Sequence, residues 1–299
     1  MKLKMLKTES TNPASTDLDT MSALEIAEVM NQQDAIVPRA IKRVLPEVAR
    51  AIDMIVQQLA EGGRLIYVGT GTSGRIGALD AAEVPPTFGT RPGMIQFVMA
   101  GGEGALAHAS EASEDNAGLG RRDMAARKPD KKDVVVGIAA SGRTPYTVGA
   151  IEFASSKGAT TVAVVCNKGS DLAHAADCAI EVDVGPEVLT GSTRLKAGTA
   201  QKLICNMLST GAMARLGYVY GNRMVNLQLR NHKLTHRGIS IIEEVGRVDR
   251  EVALRTLKSA GMKVPVALIM LAANVSKAEA IRRLRRNGGV VRKALRAER

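Results

Sequence analysis

The chain has 299 residues, 45% hydrophobic and 24% charged, a balance that belongs to globular proteins and excludes a disordered or fibrous chain. Aromatics make up only 2%, with no tryptophan, so the core has to be aliphatic, and the net charge of +11 admits either an anionic small substrate or a nucleic acid. No stretch approaches the roughly 18 apolar residues of a membrane-spanning helix, Met1 to Thr16 holds no apolar signal-peptide core, and Cys166, Cys178 and Cys205 sit in apolar patterns as buried free thiols would, so a cytoplasmic protein without a membrane partner is the simplest reading.

Residues 8–20 read as an arm without periodicity. From Ser22 the apolar spacing is helical through Val48, and a longer helix through Ile52, Ile55 and Leu59 stops at Gly62-Gly63. The period then changes. Short apolar runs at Arg64–Val68, Met94–Met99, Asp133–Ile138, Thr161–Val165 and Ala179–Val184 read as buried strands, each followed by small or polar residues and a helical pattern. Strands alternating with helices imply right-handed βαβ units. The expected fold is α/β, a doubly wound parallel five-stranded sheet with N-terminal helices and a small C-terminal helical subdomain. The boundaries fall at 1–49, 50–217 and 218–299. In the last segment Ile241–Ala260 and Val264–Ala273 read as helices, and Ser276 with Glu279 forms a capping box for the next. Two basic clusters, Arg121 to Lys132 and Arg282 to Arg299, read as solvated surface.

Three turns carry hydroxyls at strand ends. Gly69 to Gly77 follows a strand and opens a helix, so its glycines allow close backbone approach to an anion and the helix N-terminus favours negative charge. It contains G-x-G-x-x-G, but no acidic residue closes the next strand as a dinucleotide site requires, and no Gly-Lys-Ser/Thr makes it a P-loop. Alone, such a turn is either an anion cradle or a tight connection. Ala140 to Thr144 and Thr190 to Arg194 repeat the style before further helices. In a doubly wound sheet all three lie at the C-terminal strand edge, where ligands bind. One phosphate and several sugar hydroxyls suit them, with Thr72, Ser73, Ser141, Arg143, Thr144, Ser192 and Thr193 as candidate contacts.

Glu83 stands where Pro85 and Pro86 are expected to end the first βα helix, and Glu114 in a helical stretch after the strand ending at Ala100. Either is a solvated residue or one of two carboxylates facing one pocket. His232 and His236 have i, i+4 spacing without an acidic partner, so no metal site is expected. His108 and His174 read as structural residues of Ala-rich helices.

The turns at 69–77 and 140–144 resemble those of the sugar isomerase domain, and Gly185 to Thr199 resembles the signature shared by N-acetylmuramic acid 6-phosphate etherases and the glucokinase regulatory protein. Gly69 to Gly77, Leu79 to Gly89, Gly101 to Asp115 and the opening Thr8-Glu9 with Asn12 further resemble the etherases. The resemblance implies cleavage of the D-lactyl ether of N-acetylmuramic acid 6-phosphate, no metal or organic cofactor, and a homodimer. It maps the two catalytic glutamates onto Glu83 and Glu114, in either assignment of acid and base. Ala82 and Val84 stand where Ser and Cys are common beside the first, and Ala112 replaces a frequent Gly beside the second. Glu187 either binds a sugar hydroxyl, assists ring opening, or serves the turn. The rival readings are a non-catalytic sugar-phosphate sensor and a nucleic-acid-binding regulator. Sensor relatives carry two such domains, and the basic tail lacks interleaved aromatics for stacking on bases.

Overall fold

The computed structural model describes residues 7–108, 113–229 and 231–296. Arg299 of the basic tail, and Ala112 before Glu114, lie outside them. The chain divides into two compact units, Met1–Ala82 with Gly93–Ser209, and Glu83–Pro92 with Thr210–Arg299.

The first unit opens with 3₁₀ turns at Lys7–Glu9, Pro13–Ser15 and Leu18–Thr20. Helices α1 (Ala23–Asp34), α2 (Ile36–Lys42) and α3 (Leu45–Ala60) follow, α1 started by a Ser22/Glu25 capping box. The α/β part runs β1 (Leu65–Gly69), α4 (Gly71–Phe88), β2 (Ile95–Met99), α5 (Ala117–Ala126), β3 (Val134–Ala139), α6 (Pro145–Ser156), β4 (Thr160–Val165), α7 (Asp171–Ala175), β5 (Cys178–Glu181) and α8 (Lys196–Arg215). All five strands are parallel, in the order β2-β1-β3-β4-β5. The apolar runs therefore form the expected sheet. Val, Ile and Ala fill it because both faces are covered, and β1 and β3 are buried at every position. Alternate residues Ile66, Val68, Val135, Ala163 and Val165 pack with Tyr146, Ala150, Ile151 and Leu172 on one face. The three cysteines are free and buried.

On the other face β1 is tied to two helices by one buried carboxylate. Asp80 of α4 is 4% exposed and accepts hydrogen bonds from Tyr67 Oη (2.7 Å), Asn206 Nδ2 (2.8 Å) and Ser209 Oγ (3.0 Å). Burial pushes its carboxyl upward, while these donors and the Lys202 charge oppose the shift. Asp80→Ala leaves three donors around an emptied site, and the expected loss is about 3–5 kcal/mol. It should show as a lower denaturant midpoint at unchanged slope. A midpoint equal to the parent's would show that the network does not stabilise the fold.

After an irregular stretch that holds a Tyr220–Arg223 bridge, the second unit is helical, with α9 (His232–Gly246), α10 (Arg250–Ser259), α11 (Val264–Ala273), α12 (Lys277–Arg286) and α13 (Val291–Arg296). Its core gathers Ile239, Ile242, Leu257, Leu268, Ile269 and Val291. In the basic tail, Arg282 and Arg283 pair with Glu279, and Arg292 stacks on Tyr220 at 4.9 Å from the ring centroid. Among the described residues no single helix is long and apolar enough to cross a membrane, and no group of three or more potential ligands could hold a metal ion.

Four local expectations change. Pro85 and Pro86 do not end α4, which continues to Phe88. They remove N–H donors only in the last turn, where the Thr87 hydroxyl donates to Glu83 O at 2.7 Å and Gly89, at φ +63°, closes the helix by donating to Pro85 O. Glu83 accordingly lies within the helix. The stretch Ile241–Ala260 is two helices, because Arg247 turns left-handed at φ +52° and the Asp249 side chain caps a new start. Glu114 lies in a turn before α5, which Asn116 caps, and His108 in a bend after the 3₁₀ turn Glu103–Leu106.

Candidate active site

The strand order reverses direction between β1 and β3, and a crevice opens at such a switch point beyond the carboxyl ends of the strands. A cavity of about 390 Å³ lies there, inside the first unit. That volume falls within the range of about 300–1,000 Å³ typical of small-molecule sites. Two larger recesses, of about 490 and 510 Å³, lie in the helical unit and beside the edge strand β2. Neither stands at the switch point, and neither gathers comparable hydroxyls.

Each wall follows from a sequence turn. After β1, Thr70, Gly71, Thr72, Ser73 and Arg75 line the cavity at the start of α4. Gly71 supplies the required positive φ of +48°, and the first N–H to bond within the helix is that of Gly74, to Thr70 O at 2.9 Å. The preceding N–H groups are left for a ligand, next to the positive end of the helix dipole. After β3, Ala139, Ala140, Ser141 and Thr144 form the second wall. Ser141 Oγ accepts the Arg143 N–H at 3.2 Å and so keeps its own proton to donate, while the Thr144 hydroxyl makes no capping bond to α6. Gly191 and Thr193 close the third side ahead of α8.

Two carboxylates enter this cavity, Glu114 and Glu9. Glu114 is fastened through its backbone carbonyl, which accepts the Tyr146 N–H of α6 at 3.0 Å. Its carboxylate lies against the bare Gly71, where a Cβ would come 3.2 Å from Oε1. Arg75 is the cation of the site. Its Nη2 donates to Ala105 O (2.9 Å) and His108 O (3.2 Å) and its Nε to Leu106 O (3.1 Å), tying α4 to the loop that precedes Glu114.

Of the residues singled out from sequence, the cavity gathers Glu114, Thr72, Ser73, Ser141, Thr144 and Thr193. Ser73 Oγ donates to the buried Gln201 Oε1 at 3.0 Å, leaving Gln201 Nε2 without a partner. Turning that amide over lets Nε2 donate to Ser73 and frees the serine proton for a ligand oxygen. Ser192 and Arg143 stand beside the cavity without lining it, the Arg143 guanidinium 3.9 Å from Asp171. Glu187 is fully buried and caps α8, its two oxygens accepting the N–H groups of Lys196 (3.0 Å) and Ala197 (2.9 Å). Burial pushes its carboxyl upward against those two bonds, and burial likewise lowers the Lys196 ammonium beside it. Glu83 is exposed and does not line the cavity. Glu9, Thr70 and Arg75 were not among the residues singled out. Thr70 and Arg75 were signalled only by their place within the glycine-rich turn, and Glu9 only by the etherase-like opening Thr8-Glu9.

A switch-point cavity ringed by hydroxyls and helix N-termini defines a sugar isomerase fold, and family models agree. Residues 47–155 match the glucokinase regulatory protein N-terminal SIS domain, and residues 118–210 match the SIS domain. A phosphoheptose isomerase structure from Francisella tularensis superposes with a TM-score of 0.50 at 20% identity, covering 65% of this chain and all of that one. Full-length relatives narrow the class. The chain is 50% identical over 295 residues to N-acetylmuramic acid 6-phosphate etherase of Serratia proteamaculans, covering 99% of each. It is 48% identical to N-acetylmuramic acid 6-phosphate etherase 2 of Lactiplantibacillus plantarum, covering 99% of this chain and 100% of that one. The chain belongs to the N-acetylmuramic acid 6-phosphate etherase family.

Proposed function

We propose that this chain is a cytoplasmic carbon–oxygen lyase that cleaves the D-lactyl ether of N-acetylmuramic acid 6-phosphate in cell-wall sugar recycling, giving N-acetylglucosamine 6-phosphate and D-lactate. The observation that carries this reading is a carboxylate, Glu114, set into a hydroxyl-lined cavity at the β1/β3 switch point of a chain half identical to the etherases over its whole length. Thr72, Ser73, Ser141, Thr144 and Thr193 supply hydroxyls for the phosphate and the sugar, and the α4 N-terminus favours the anion.

Direct displacement at a secondary ether carbon is slow because the lactate alkoxide leaves badly. Elimination avoids that difficulty. In the open-chain sugar the C2 hydrogen is acidified by the C1 aldehyde. A carboxylate removes that proton, the C3–O bond breaks as an acid protonates the departing lactate oxygen, and water adds back at C3. The scheme needs one basic and one acidic carboxyl at the substrate. Glu114 is assigned as the base at C2 and Glu83 as the acid at the lactyl oxygen.

Purified protein incubated with N-acetylmuramic acid 6-phosphate is expected to release D-lactate, with solvent deuterium at C2 and solvent ¹⁸O at C3 of the sugar product. Product that keeps its original C3 oxygen would refute elimination, and no lactate at all would favour the sugar-phosphate sensor.

A further inference from the structure

We propose that Glu9, delivered by the N-terminal arm, is a substrate-contacting residue that accepts a hydrogen bond from a sugar hydroxyl. This deepens the etherase reading and rests on it for the identity of the sugar. The arm is short and has little core of its own, yet three of its polar side chains are buried: Thr8 at 1%, Asn12 at 4% and Ser15 at 8% exposure. Each is paired. Asn167 accepts the Lys7 N–H at 3.0 Å and donates to Thr8 Oγ1 and to Ala140 O, both at 3.1 Å. The arm is thereby registered against the loop that presents Ser141. Further on, Asn12 Nδ2 donates to Pro186 O at 3.0 Å and Ser15 Oγ to Val188 O at 2.7 Å.

These bonds fix the residue between them. Glu9 lines the switch-point cavity, and a Cβ on Gly191 would come within 3.3 Å of its Oε2. Gly191 adopts φ +78°, so the turn brings bare backbone against the carboxylate and leaves space around it. Glu9 and Glu114 thus enter one cavity from different chain segments, each beside a glycine. A carboxylate is an acceptor without protons to donate and repels both anionic groups of a phosphorylated lactyl sugar. Its natural partner in such a ligand is a neutral hydroxyl. Contact with the phosphate is excluded by charge.

The test compares two ligands on the full-length protein. Glu9→Ala and Glu9→Gln should each weaken binding of N-acetylglucosamine 6-phosphate about tenfold or more, the size expected for a charge-assisted hydrogen bond. Competition by inorganic phosphate should stay within about twofold of the parent, because the phosphate lies elsewhere. Unchanged sugar-phosphate affinity in both variants would overturn the proposal. An equal loss for sugar phosphate and inorganic phosphate would also overturn it, since that pattern marks a disturbed arm. Lactate release by the parent protein is measured alongside. Its absence, with the selective loss still observed, would remove the etherase reading and leave the Glu9 contact standing.

Discussion

Glu114→Gln is expected to lower lactate release about 10²–10⁴-fold, the usual effect of removing a positioned general base. Glutamine keeps the shape and can still accept a hydrogen bond, but it cannot take a proton from C2. The carbonyl that binds the Tyr146 N–H is part of the backbone, so the exchange leaves the turn anchored. KM should therefore change little while kcat falls, the mark of an interaction needed in the transition state and not in binding. Isotope exchange sharpens the test. If Glu114 removes the C2 proton, the variant should lose deuterium uptake into N-acetylglucosamine 6-phosphate in parallel with lactate release. Exchange at the parental rate with lactate release abolished would assign Glu114 to the acid at the leaving oxygen instead. A variant with parental kcat would take Glu114 out of the chemistry.

Much of this architecture was legible in the sequence because buried parallel strands are written plainly. Runs such as Leu65–Gly69 and Thr160–Val165 are dominated by apolar and β-branched residues and bounded by Gly or polar residues, so their place and type could be read directly. Two of the hydroxyl turns were legible for the same reason, since they directly follow β1 and β3, while the third was marked by the helix it precedes. Features set by tertiary packing were not. Pro85-Pro86 reads as a stop, yet two missing donors in a final turn cost little when Gly89 closes it. Glu9 could not be placed, because what aims it are Asn167, Pro186 and Val188, more than 150 residues away in sequence. Nor could Glu187 be separated from the binding residues. Its capping of α8 appears only when the backbone of Lys196 and Ala197 is in view.

Glu83→Gln is also expected to cost about 10²–10⁴-fold in lactate release, through loss of the acid at the departing oxygen. Its location makes the more informative experiment a mixture. Glu83 does not line the cavity that holds Glu114, and a Glu83 brought to that cavity by a second copy of the chain would meet the acid role. The homodimer that the family resemblance implies would supply one. Co-expression of Glu83→Gln with Glu114→Gln, each inactive alone, gives mixed dimers in which one of two sites holds both native carboxylates. At equal expression half the dimers are mixed and half their sites are intact, so activity should return to about a quarter of the parent's. A site built from one chain gives no recovery in the same mixture, because every chain then lacks one of the two carboxylates. Recovery near a quarter places acid and base on different copies. No recovery, with mixed dimers verified by dual-tag purification, would remove Glu83 as a donor in trans, and a monomer in solution would do the same.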